Sequence, residues 1–129
     1  MLEKLNPDSI VRPFNDAYHH VVVIPPNARV VHIAGQVGLR PDGSLPSTLA
    51  GQADQVWSNV VACIEEAGMG PENIVKINAY LLDANDYAAF ATARTKYLGD
   101  ARPASTAVLV KQLIFPEWRF EIDAIAAST

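Results

Sequence analysis

Apolar and polar residues run along this chain in two rhythms, and the switches between them mark its elements. Residues 1–13 follow neither rhythm and are broken by Pro7 and Pro13, so they read as an irregular lead-in. Ala17–Ile24 (AYHHVVVI) and Arg29–Gln36 (RVVHIAGQ) are rich in β-branched residues and flank Pro25-Pro26-Asn27-Ala28, which predicts an antiparallel hairpin. Pairing Ile24 with Arg29 would set His19 opposite Ala34. Leu39–Pro46 is dense in turn formers around Asp42-Gly43. From about Ser47 to Ala67 the spacing turns helical. Leu49, Ala53, Val56, Val60, Ile64 and Ala67 recur at steps of three or four, until Gly68 stops the run. Alternation returns over residues 73–82, where Ile74, Lys76, Asn78 and Tyr80 interleave with Val75, Ile77, Ala79 and Leu81. A second helix carries Tyr87, Phe90, Ala91, Arg94 and Tyr97, with Asn85 as its expected N-cap and Gly99 as its end. Ser105–Val110 and Arg119–Ala126 complete the pattern as two strands.

The order β-β-α-β-α-β-β predicts an α+β fold with one sheet and both helices on one of its faces. Phe120, Ile122 and Ala124 would face the helices, which turns Glu121 and Asp123 to the other side. That second side, with apolar groups such as Val21 and Val23, has no cover within one chain. An uncovered apolar face predicts a homo-oligomer.

Composition narrows the function. The 129 residues, 14.0 kDa, fit one domain, 1–129. Half are hydrophobic and 19% are charged, as in folded rather than disordered chains. Ten Lys and Arg against fourteen Asp and Glu give −4, and no basic block exists, so nucleic acid is not an expected partner. No apolar run approaches the ~20 residues of a membrane span, and Met1–Leu5 does not resemble a signal peptide, so the expected location is cytoplasmic. Cys63, the lone cysteine, lies between Val60 and Ile64 on the first helix and reads as an inert buried thiol. His19 and His20 are neighbours on a strand, point to opposite faces and cannot chelate one ion, so no metal is expected. His32, within VVHIAG, reads as a satisfied strand histidine. Phosphate-binding loops and the serine-hydrolase elbow are absent.

Glu121 stands out as a carboxylate between Phe120 and Ile122 in a strand expected to be central. Two readings stand. Half-buried, it would serve proton transfer to a water, or it would form a structural hydrogen bond or ion pair across an oligomer seam.

RPASTAVLV and FEIDAIA near the end of the chain, with HIAGQVGLRPDG and DANDYAAF, resemble the Rid/YjgF family over roughly residues 12–127. Its best-known members are 2-iminobutanoate/2-iminopropanoate deaminases, and the family also includes aminomuconate-type deaminases. The resemblance implies a chorismate-mutase-like subunit and a homotrimer whose sheets form a central barrel. Ligand clefts for a small-molecule metabolite would lie between neighbours. No cofactor is implied, because an imine carbon is already electrophilic.

The resemblance also shows where this chain departs. Active members read Pro-Ala-Arg, the arginine gripping a substrate carboxylate; here the segment is Pro103-Ala104-Ser105. The cysteine two positions later is Ala107, the serine before the Gly-Gln pair is Ala34, and the tyrosine after the early proline is Phe14. Only the water-positioning glutamate is kept, as Glu121. Losing the arginine would cost on the order of 3 kcal/mol, about a hundredfold in binding, so weak activity on 2-imino acids is expected. Arg12, Arg102 and His19 are candidates to reach the cleft in its place. The expected function is hydrolytic deamination of a small imine or enamine, or else binding of such a ligand without turnover.

Overall fold

The computed structural model describes residues 1–129. Its regular elements are β1 (Glu3–Leu5), β2 (Val21–Val23), β3 (Arg29–Val37), α1 (Leu49–Glu66), β4 (Ile74–Leu81), α2 (Tyr87–Leu98), β5 (Ala104–Leu109) and β6 (Phe120–Ser128). Four strands form a mixed sheet in the order β3-β6-β4-β5, with β4 and β5 parallel and the other pairs antiparallel. The last strand in sequence is therefore central. α2 supplies the crossover that parallel pairing of β4 and β5 requires. The fold is α+β, with two helices and a mixed sheet.

The alternation holds from Lys76 to Leu81 on β4 and from Phe120 to Ala126 on β6. An irregularity at Ile74–Lys76 puts Ile74 in the helix-side core instead of on the face of Lys76, Asn78 and Tyr80. Ile77, Ala79 and Leu81 on β4 and Phe120, Ile122 and Ala124 on β6 are buried, while Lys76, Asn78, Tyr80, Glu121 and Asp123 are half-exposed. α1 lays Ala53, Val56, Trp57, Val60 and Ile64 on the buried side. Trp57 ties the helices together by donating its Nε1–H to the Phe90 carbonyl at 3.2 Å, and Phe90 in turn stacks on Phe120. Thr48 caps α1 by accepting from the Gly51 amide at 3.0 Å. Beyond the other end, Gly68 takes φ +78°, a left-handed conformation that glycine adopts without a Cβ clash.

Three expectations are corrected. The lead-in is not wholly irregular: Glu3–Leu5 pairs with Val21–Val23, and the first run of β-branched residues contributes only those three positions to a strand. The hairpin between the first two runs does not form, because β2 takes β1 as its partner while β3 pairs with β6. Consequently there are two sheets, and His19 does not lie opposite Ala34. The physical reason is that β3 buries more of itself beside the apolar β6 than it would beside a strand whose chain is broken by Pro25 and Pro26. The third correction concerns α2. A short 3₁₀ turn, Ala84–Asp86, precedes it and is capped by Asp83, whose side chain accepts from the Asn85 amide at 2.8 Å. The N-cap position of α2 itself is Asp86, with no side-chain cap bond.

The β1–β2 ribbon does more than satisfy its own backbone. Leu2 and Val22 pack with Val75, Ile125 and Ala127, covering one end of the sheet face turned away from the helices. The other end, where Tyr80 pairs with Glu121, stays uncovered.

Candidate functional site

Glu121 sits near the start of β6, between Val37 on β3 and Tyr80 on β4. Its position is fixed from below and behind. Gln52 of α1 accepts from the Arg119 amide at 3.0 Å and donates to the Glu117 carbonyl at 3.2 Å, pinning the entry to the strand. The Arg119 side chain donates at 2.6 Å to Asp86, a carboxylate with 8% of its side chain exposed.

Across from Glu121, β3 carries a bulge. Ile33 pairs with Ala124 and Gln36 with Ile122, so Ala34 and Gly35 together face Asp123. The Glu121 carboxylate lies over Gly35, where any Cβ would overlap it. No salt bridge engages Glu121. With Tyr80, Val110, Gln112, Leu113 and Ile114 it lines a cleft of about 220 Å³. A carboxylate free of internal partners, in an open cleft, can accept a proton from water.

One polar cluster beside it was not singled out as functional from the sequence. Asp123 accepts from Asn78 at 2.9 Å and from the Tyr80 hydroxyl at 3.1 Å. The hydrogen bond to Asp123, with burial and the charges of Asp123 and Glu121, holds the Tyr80 hydroxyl above the usual tyrosine range. The signal was present in the alternation, which puts Asn78, Tyr80, Glu121 and Asp123 on one face. Polar side chains at neighbouring positions of two central strands need one another.

The remaining candidates scatter. Ser105 and Ala107 pair with the buried Ile77 and Ala79 on the parallel strand, which puts them on the helix-facing side of the sheet. Their neighbour Thr106 is on the Glu121 side, accepting from Lys76 at 2.7 Å. One chain therefore does not bring Ser105 or Ala107 beside Glu121. Ala107 instead lines a second, wholly apolar cavity of about 380 Å³ with Leu81, Ala84, Tyr87, Val108 and Leu109. Ala34 lies in the bulge, exposed, its carbonyl accepting from Gln36.

Phe14 is 71% exposed in a short 3₁₀ turn, and Arg12 is exposed with its guanidinium 3.6 Å from Asp16. Arg102 folds back to donate to the Gly99 and Ala101 carbonyls at 2.6 and 2.9 Å. His19 donates from Nδ1 to the Arg102 carbonyl at 2.6 Å, and its amide to Pro103 at 3.2 Å, which staples it beside the segment leading to Ser105. His20 turns elsewhere, to the Val11 carbonyl at 2.7 Å. His32 is exposed on β3 rather than satisfied, and Cys63 is half-buried against the core. No helix is long and apolar enough to cross a membrane.

Comparison with known proteins agrees with this architecture. A family profile described as Endoribonuclease L-PSP matches residues 10–128. A goat (Capra hircus) protein named 2-iminobutanoate/2-iminopropanoate deaminase is 35% identical over 101 residues, covering 76% of this chain and 72% of the relative. A RutC family protein of Pyrococcus abyssi is 33% identical over 98 residues, covering 74% of this chain and 76% of the relative. Among solved structures, a Rid family protein from Yersinia pestis superposes with a TM-score of 0.87 at 27% identity, covering 98% of each chain. The YjgF protein of E. coli gives 0.73 at 29% identity, covering 87% of this chain and 88% of that one. By the span of the profile match and the agreement of fold over nearly the whole chain, this protein belongs to the Rid/YjgF family.

Proposed function

We propose that the protein is a cofactor-independent hydrolase of small imines or enamines that lack a carboxylate, acting as a cytoplasmic homotrimer with its clefts between copies. The observation that carries this reading is Glu121 itself, a half-buried carboxylate held over Gly35 with no ion-pair partner in its own chain. Glu121 accepts a proton from a water whose oxygen attacks the C=N carbon. The resulting carbinolamine expels its nitrogen as ammonia when that nitrogen is protonated, and the carbonyl product remains. Ser105 and Ala107 enter this cleft from a neighbouring copy, which reconciles their place on the opposite sheet face with a shared site.

A 2-imino acid, the substrate class in the goat relative's name, is a poor fit here. Ser105 offers a single neutral donor where a bidentate guanidinium would hold the carboxylate. The test supplies 2-iminopropanoate and an imine without a carboxylate, each generated in situ by an oxidase, to the purified protein. Turnover of the carboxylate-free imine at least tenfold above that of 2-iminopropanoate, abolished in Glu121→Gln, is the expected result. Equal turnover of the two overturns it.

The second reading, a trimer that binds small molecules without turnover, is favoured by the wholly apolar wall around Ala107. It predicts that Glu121→Gln leaves every measurable property except ligand affinity unchanged. A ribonuclease role, which the family description suggests, fits poorly with a net charge of −4.

A further inference from the structure

Among the side chains lining the Glu121 cleft, only Gln112 has hydrogen-bond donors to offer a ligand. Lys, Arg and His are missing from its lining residues, which are Tyr80, Val110, Gln112, Leu113, Ile114 and Glu121. Glu121 is an acceptor when ionised. Tyr80 would ordinarily be ambiguous, able to donate or accept. Here its only proton is directed to Asp123 Oδ2 at 3.1 Å, and Asn78 holds the other oxygen of that carboxylate at 2.9 Å. The phenol oxygen is left with lone pairs for the cleft.

Resting on the proposed function of this cleft, we infer that Tyr80, oriented by Asp123, is a specificity residue that accepts a hydrogen bond from an N–H-bearing cationic nitrogen, so that the site selects protonated imines or amidines and rejects carboxylates. The geometry supports it in two ways. Tyr80 and Glu121 are direct cross-strand partners, so their oxygens can address one planar ligand together. The second carboxylate, Asp123, lies two residues along the same face of β6 and adds to a negative field with no cation lining the cleft to offset it. Tyr80 is thus a positioning and specificity group, while Glu121 acts on the water.

The probes are acetamidinium, a stable planar cation with N–H donors, and acetate, its anionic counterpart of the same shape. Binding is followed by NMR titration of the full chain. Wild type should bind acetamidinium at least tenfold more tightly than acetate. Tyr80→Phe, which keeps the ring and removes the acceptor, should weaken acetamidinium about tenfold and leave acetate unchanged. Asp123→Asn supplies an amide N–H in place of an acceptor, frees the Tyr80 proton to point outward, and should narrow the preference between the probes. Should Tyr80→Phe prove poorly folded, Asp123→Asn decides alone. Acetate binding as tightly as acetamidinium, or a preference untouched by both substitutions, overturns the inference. The two proposals fail separately. Glu121-dependent imine hydrolysis with a KM unchanged in Tyr80→Phe overturns this inference alone. An intact Tyr80-dependent acetamidinium preference without any hydrolysis supports this inference and overturns only the enzyme reading.

Discussion

Gly35 and Gly38 lie three residues apart near the end of β3, yet a methyl group added at each meets a different kind of neighbour. At Gly35 it meets the tip of the Glu121 side chain, which can swing aside. At Gly38 it meets the Gln52 carbonyl oxygen at 2.8 Å and Cα at 3.2 Å, which belong to α1 and cannot. Gly38→Ala should therefore destabilise by about 2 kcal/mol in urea denaturation. Gly35→Ala should leave stability within about 0.5 kcal/mol while displacing the carboxylate and lowering imine turnover at least tenfold. Equal stability losses in the two variants would contradict this account. Tyr80 gives a second prediction at this scale. Its hydroxyl is held above the ordinary value by Asp123, so the folded state binds that proton more tightly than the unfolded chain. The associated stability is fully present below the unfolded value of about 10 and is lost as pH rises through the folded one. In an ultraviolet titration one tyrosine should ionise later than the rest, and Asp123→Asn should restore it to the others. The side on which Glu121 and Asp123 lie was legible from alternation alone. That Asp123 orders Tyr80 was not, because hydrogen-bond direction depends on a strand register that residue patterns leave open.

Elements differ in how much of themselves they announce. α1 repeats its apolar spacing over five turns, and β4 from Lys76 onward and β6 as far as Ala126 alternate, so burial of one face defines each of them. β1 offers only Glu3-Lys4-Leu5, too short for any period, and its existence follows from β2 needing a partner once β3 has gone to β6. The start of α2 differs from the expected cap because Asn85 lies inside a 3₁₀ turn, where its amide donates to Asp83, while the Asp86 side chain goes to Arg119. Asp86 is the one with energetic consequence. Its carboxylate is buried and held by Arg119, so Arg119→Ala would strand a charge beside α2 and β6. A loss of about 2–3 kcal/mol is expected, and Asp86→Asn combined with Arg119→Ala should recover part of it. A double variant no more stable than Arg119→Ala alone would show that the cost lies in lost packing instead.

At the scale of the whole molecule, the sheet face away from the helices divides in two. One end is closed by Leu2 and Val22 of the N-terminal ribbon. The other presents the Glu121 cleft, flanked by Ile114 and Phe115, 80% and 50% exposed. Apolar groups so exposed beside an open face support the proposed association of copies, while its threefold order is taken from the family resemblance. Sedimentation equilibrium should return three times the 14.0 kDa chain mass. Ile114→Asp should shift it toward one, and imine turnover should fall with it, since Ser105 and Glu121 meet only between copies in this reading. A monomeric wild type that still turns over imine would contradict it.

β6 is flanked by β3 and β4, although it follows both in sequence. On the ribosome, then, β3 and the edge of β4 away from β5 emerge without their shared neighbour and stay bare until residues 120–128 clear the exit tunnel. A chaperone that shields unpaired strands would find its target in that interval. Stop codons placed shortly before residue 120 should yield aggregates rather than a smaller soluble protein.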